Sequence, residues 1–152
     1  LKEDSTLPEG LTMNSGGQIA GRPVQPVQGH KFTVIASVTG NDTWIPTEAE
    51  FTIDITGRIF LNQRTINIYK QLDFERQLDL FAADGDPGSV TFAVKDGTSL
   101  PEGVTLDAAT GKLSGKIAEP GTYTFTVTAT AEGYTATEAL ITIVVHEYSY
   151  VN

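Results

Sequence analysis

The chain has 152 residues, 39% of them hydrophobic, a formal charge of −9 and no cysteine. That apolar share is enough for a packed core and argues against a disordered chain, while the missing cysteines exclude disulfides, thiolate-held zinc and thiol catalysis. The acidic balance excludes nucleic acid and disfavours an anionic membrane surface, because both need a basic face.

The pattern from the N-terminus onward is of short β-prone runs separated by Gly and Pro. Leu1-Lys2-Glu3-Asp4 has no signal-peptide character, so a targeting segment is expected outside these residues. Leu7-Pro8-Glu9-Gly10-Leu11-Thr12 reads as a strand-to-loop corner, in which Pro fixes φ and Gly lets the backbone turn back. Leu11 and, further on, Leu106 are expected to plug a sandwich end. Gly17 and Gly21 bracket a very short strand. Phe32, Val34, Ala36 and Val38 then alternate with Thr33, Ile35 and Ser37, and Phe51, Ile53 and Ile55 alternate with Glu50, Thr52 and Asp54. A period of two marks half-buried antiparallel strands with one face on a core. Three further strands are expected at Thr65–Tyr69, Arg76–Ala83 and Ser89–Val94, the last two joined by the turn Asp84-Gly85-Asp86-Pro87-Gly88.

Beyond that point the chain repeats itself. Leu100-Pro101-Glu102-Gly103-Val104-Thr105 matches the first corner, and Gly111-Lys112-Leu113-Ser114-Gly115 matches Gly17–Gly21. Phe125-Thr126-Val127-Thr128-Ala129 matches Phe32–Ala36, and Thr137–Ile143 matches Thr47–Ile53. Four blocks in one order at nearly constant offset define two copies of a unit. The second copy carries about seven short strands, which suits an immunoglobulin-like sandwich. The tail from Glu147 to Val151 alternates like a strand that leads to a further module or forms an edge.

The motifs Leu-Pro-x-Gly-Leu/Val-Thr, Thr-Gly-x-Leu/Ile-x-Gly and Gly-x-Tyr-Thr-Phe-Thr-Val-Thr-Ala-Thr resemble those of the He_PIG type of immunoglobulin-like domain found in bacterial surface proteins. That type is related to the cadherin-like domains of dystroglycan. The resemblance runs through Leu100–Gly103, Thr110–Gly115 and Gly121–Thr130, and only its back half is present in the first copy. Gly21-Arg22-Pro23 fits the family's usual Gly-Thr-Pro better than Gly115-Lys116-Ile117 does. It implies an all-β chain: an antiparallel immunoglobulin-like sandwich over residues 58–147, preceded by an incomplete copy over 1–57 and followed by a tail or linker over 148–152.

No nucleophile elbow, phosphate loop or zinc-protease helix is present. His30 opens a strand and His146 closes one, and Asp73, Glu75 and Asp79 read as exposed strand and turn positions, so catalysis is not expected. Calcium takes about six to eight oxygen ligands. Asp84 and Asp86 would supply two carboxylates, with Asp96 as a third; the competing reading is an ordinary turn. Trp44, flanked by Asn41, Asp42 and Thr43, and Tyr134 in the matching connection could stack on a glycan, and the competing reading folds Trp44 over the sandwich end as a lid. No resident cofactor is expected apart from that calcium.

The incomplete copy would leave Phe32, Val34, Phe51 and Ile53 uncovered. Such a face invites association. Residues beyond the chain, strands given by another molecule, or a core shared between the halves would each complete it, and self-association through the first copy is the expectation for the isolated chain. These readings describe an extracellular or cell-surface spacer or adhesion module whose partners are proteins or glycans on a cell surface, with no membrane insertion. The alternatives are a carbohydrate-binding accessory module of a secreted polysaccharide-degrading enzyme and a calcium-stiffened cadherin-like adhesin.

Overall fold

A computed structural model describes residues 1–40 and 43–148, and among these every regular element is a β-strand. Asn41 and Asp42, beside Trp44, and the tail residues 149–152 lie outside the described residues. The chain divides into two compact units, Leu1–Gly57 and Arg58–Asn152.

The first unit consists of two hairpins. Strand β1 (Leu11–Met13) pairs antiparallel with β2 (Ile19–Gly21), and β3 (Val27–Ala36) pairs antiparallel with β4 (Thr47–Ile55). In the second unit β5 (Gly57–Leu61), β6 (Arg64–Tyr69), β7 (Phe74–Gln77), β8 (Leu80–Ala82) and β9 (Val90–Val94) come first. They are followed by β10 (Val104–Leu106), β11 (Lys112–Gly115), β12 (Gly121–Ala131), β13 (Tyr134–Thr135) and β14 (Thr137–His146). The order β6-β14-β12-β9 makes one four-stranded sheet, and β10-β11-β7 and β13-β5-β8 make two smaller ones. All of them send side chains into one core. This is the immunoglobulin-like sandwich the sequence leads one to expect.

Alternation explains the core. In β12, Phe125, Val127 and Ala129 point inward, and in β14 Ala139, Ile141, Ile143 and Val145 do the same. The Thr residues between them lie on the wetter face, where a β-branched polar side chain suits a strand. β14 runs parallel to β6, with Ile143 opposite Ile66. The long connection between them permits a parallel pairing that no hairpin could form. The expected strand Arg76–Ala83 is broken at Leu78, whose buried side chain belongs to the core and whose amide donates to the carbonyl of Gly111 at 3.1 Å. The chain there leaves the sheet of β11 and joins that of β5 as β8.

From His30 to Ala36 the β3–β4 hairpin follows the β12–β14 register, whereas the bulge between Val27 and His30 has no counterpart in β12. Phe32 faces Phe51 as Phe125 faces Ile141, and Val34 faces Ala49 as Val127 faces Ala139. Leu11 faces Gly21 as Val104 faces Gly115, so the counterpart of Leu11 is Val104 rather than Leu106. Gly10 and Gly103 have φ of 87° and 84°, and a Cβ on either would collide with a backbone carbonyl, of Arg22 or of Lys116. The agreement begins earlier than the sequence blocks do. The amide of Lys2 donates to Thr33 at 2.9 Å as that of Lys95 donates to Thr126 at 2.8 Å. Lys2 pairs with Glu48 as Lys95 pairs with Glu138.

Candidate functional site

The Asp84–Gly88 turn is built by its neighbours on β5 and β13. The amide of Ala83 donates to the carbonyl of Arg58 at 2.9 Å, which brings the Arg58 side chain alongside the turn. Its Nε then donates to Asp84 Oδ2 at 3.0 Å and its Nη2 to Oδ1 at 3.4 Å. Asp84 in turn raises the guanidinium pKa above its ordinary value, through the hydrogen bond first and the charge second. The Tyr134 hydroxyl donates to the main-chain carbonyl of Asp84 at 2.7 Å. Partial burial, followed by the charges of Asp86 and Asp84, raises the Tyr134 pKa. Asp86 Oδ1 accepts the amide of Gly88 at 2.9 Å, a turn-closing bond typical of Asp.

Chemically, this arrangement is a lock that holds the β8–β9 turn against β5 and β13. The Asp84 carboxylate already has a cation on it. Among the described residues no three His, Cys, Asp or Glu side chains gather as a metal site, so Asp96 does not join the pair.

The two aromatic candidates differ. Tyr134 is half-buried against the core, with its hydroxyl engaged. Trp44 is 65% exposed and the neighbouring Ile45 91%, in the connection between β3 and β4, so Trp44 does not fold down as a lid. His30 Nε2 lies 2.7 Å from the carbonyl of Thr6, and His146 Nε2 lies 3.0 Å from Asn67 Oδ1. Asp79 pairs with Arg64 at 2.9 Å, and Glu75 with Lys112 and Asp73 with Lys116, each at 3.6 Å. All three acids are surface ion-pair members.

Sequence reasoning missed one aromatic group. Tyr69 stacks on Tyr148 with ring centres 5.0 Å apart and planes 17° apart, and His146 lies 5.9 Å from Tyr69. The parallel register that sets His146 opposite Tyr69 creates this group. No local pattern announces a parallel pairing between residues this far apart in the chain, so the signal was absent from the sequence blocks.

Known proteins agree with this architecture. No curated protein is similar enough to match the chain. Among solved structures, a putative alpha-galactosidase/melibiase from Bacteroides fragilis is 22% identical with a TM-score of 0.50, over 60% of this chain and 18% of that one. Protocadherin gamma B7 extracellular cadherin domains 1–4 are 16% identical with a TM-score of 0.51, over 91% of this chain and 38% of that one. Mouse cadherin-23 EC22–24 is 14% identical with a TM-score of 0.52, over 91% of this chain and 50% of that one. The chain thus spans half or less of the length of each, and the likeness is one of fold. The family model "Putative Ig domain" (He_PIG) matches residues 61–146. The chain belongs to that immunoglobulin-like family.

Proposed function

We propose that the chain is a non-catalytic spacer or adhesion module of a secreted or cell-surface protein. The observation that carries this reading is the immunoglobulin-like unit itself, matched by its family over residues 61–146. Its strands serve one apolar core, and its candidate acids are tied up in surface ion pairs. The similarity to extracellular cadherin domains supports a place outside the cell. No helix among the described residues is long and apolar enough to cross a membrane. A net charge of −9 favours solubility and limits non-specific sticking. Beads coated with the chain should adhere to protein- or glycan-coated surfaces while the chain turns over no glycoside or peptide substrate. Turnover abolished by one surface substitution would overturn the reading.

A second reading, carbohydrate binding, is favoured by the exposure of Trp44 and by the Tyr69–Tyr148 stack. Aromatic faces suit the apolar faces of sugar rings. The fold likeness to part of the putative alpha-galactosidase/melibiase fits the same reading. A glycan screen on the chain, Trp44→Ala and Tyr69→Ala decides it: binding lost in either variant supports it, and no glycan bound by the parent chain removes it.

A further inference from the structure

The agreement in register between the units shows what the first one lacks. In the second unit β12 is flanked by β9, β14 by β6 and β11 by β7. Among the described residues the corresponding edges of β3, β4 and β2 carry no such strands. The side chains record the difference. Ile141 and Leu113 are fully buried, whereas their counterparts Phe51 and Ile19 are 48% and 37% exposed.

The sharpest difference lies beside β3. In the second unit Gly111 is packed by Phe92 of β9: a Cβ on Gly111 would fall 2.8 Å from the Phe92 ring. The amide of Phe92 donates to the carbonyl of Ala108 at 2.8 Å. The counterpart of Gly111 is Gly17, where a Cβ would meet nothing within 4 Å. In place of Phe92 there is a groove of about 510 Å³, lined by Leu1, Met13, Ser15, Gly17, Val34 and Ala36 among others. Ser15 stands where Ala108 stands, and Leu1 where Val94 ends β9.

We propose that this groove and the outer edge of β3 form a strand-acceptor site for one occupant, the front half of an immunoglobulin-like domain. Its last strand, the equivalent of β9, lies antiparallel along Val34–Val38 and sets an aromatic side chain over Gly17. Addition of a strand to an exposed edge takes its affinity from main-chain hydrogen bonds and its selectivity from side-chain sockets. The molecule shows the cover that fits, because β6, β7 and β9 close the same face in the second unit. A second copy of the chain does not meet the need. It has one front half for two back halves, and its Phe92 already lies against its own Gly111.

The test is a titration of the full chain with the synthetic peptide Gly88–Ala93, which stops short of the places Leu1 and Lys2 already fill, and with its Phe92→Ala form, read by amide NMR. The intact peptide should move the Ile35 and Ser37 amides and bind about tenfold or more tighter than the alanine form, since burying a Phe side chain is worth more than a decade of affinity. In a second experiment a copy of residues 58–93 is fused ahead of Leu1, the equivalent of Val94, which keeps the register and raises the local strand concentration. The fusion should raise the unfolding temperature reported by Trp44, the only tryptophan. Ala36→Arg, an exposed position in the chain as it stands, should cancel that rise. The proposal is overturned if neither peptide nor fusion affects the first unit. It is equally overturned if sedimentation shows a dimer of the chain in which the Ile35 and Ser37 amides are already protected.

Discussion

The two units use equivalent hairpins, in the same register beyond the Val27–His30 bulge, and reach opposite outcomes. Among the described residues the first unit buries only Phe32 and Pro8 of its apolar side chains, while the second has a contiguous core from Ile59 to Val145. The hairpins are therefore not what makes a core. Strand pairing and the corner glycines are local properties and survive without the front strands. Burial requires a second layer, and among the described residues only the second unit has one.

Ile141→Ala should destabilise the second unit by about 2–5 kcal/mol, whereas Phe51→Ala, at the equivalent position, should cost less than about 1 kcal/mol. Urea unfolding followed by circular dichroism and by Trp44 fluorescence separates the two, and equal losses would break the comparison. Gly10→Ala and Gly103→Ala should instead behave alike, each losing about 1–3 kcal/mol, because the obstruction is local backbone in both units. A melt of each variant checks this.

Tyr134→Phe should cost about 0.5–1.5 kcal/mol through the lost hydrogen bond to Asp84. Because Arg58 already neutralises Asp84, millimolar calcium should leave the melting temperature of the parent chain unchanged, and a rise would favour the cadherin-like reading of Asp84 and Asp86. The smallest effect is acid sensitivity. Amide hydrogen bonds from Thr110 and Ala109 hold the Asp107 carboxyl below its ordinary value of 3.8, and Lys70 holds Glu147 below 4.5. A carboxyl whose pKa is lowered by folding stabilises above its unfolded value and loses that stabilisation as the pH falls through the lowered one. Stability should therefore decline below about pH 4, and Asp107→Asn should flatten the slope in a pH series of melts.

Much of this was legible before the structure. The four repeated blocks located the hairpins, and the period of two named the inward residues Phe125, Val127, Ile141 and Ile143. What escaped depended on partners remote in sequence. The break at Leu78 reflects a change of sheet, which alternation within one segment does not reveal. The equivalence of Lys2 with Lys95 rests on a shared hydrogen bond and ion pair rather than on a motif. Asp4 even stands where the second copy has Gly97, both at positive φ, so the sequence hid a conserved geometry. At the candidate site the turn itself was legible, but the Arg58 that occupies Asp84 was not, since it arrives from a strand 26 residues earlier. The exposure of Trp44 likewise depends on how the β3–β4 connection is placed, which composition does not determine.

Among the described residues β3 has an open edge where β12 has a closed one. Native-state hydrogen exchange at two equivalent amides tests it most directly. By strand alternation the amides of Thr33 and Ile35 face away from β4, Thr33 donating to Ser5 Oγ as Thr126 donates to Thr98 Oγ1, and Ile35 standing where Thr128 faces β9. Thr128 should exchange only through global opening, while Ile35 should exchange orders of magnitude faster. Equal, strong protection at Ile35 and Thr128 in the monomeric chain would contradict it.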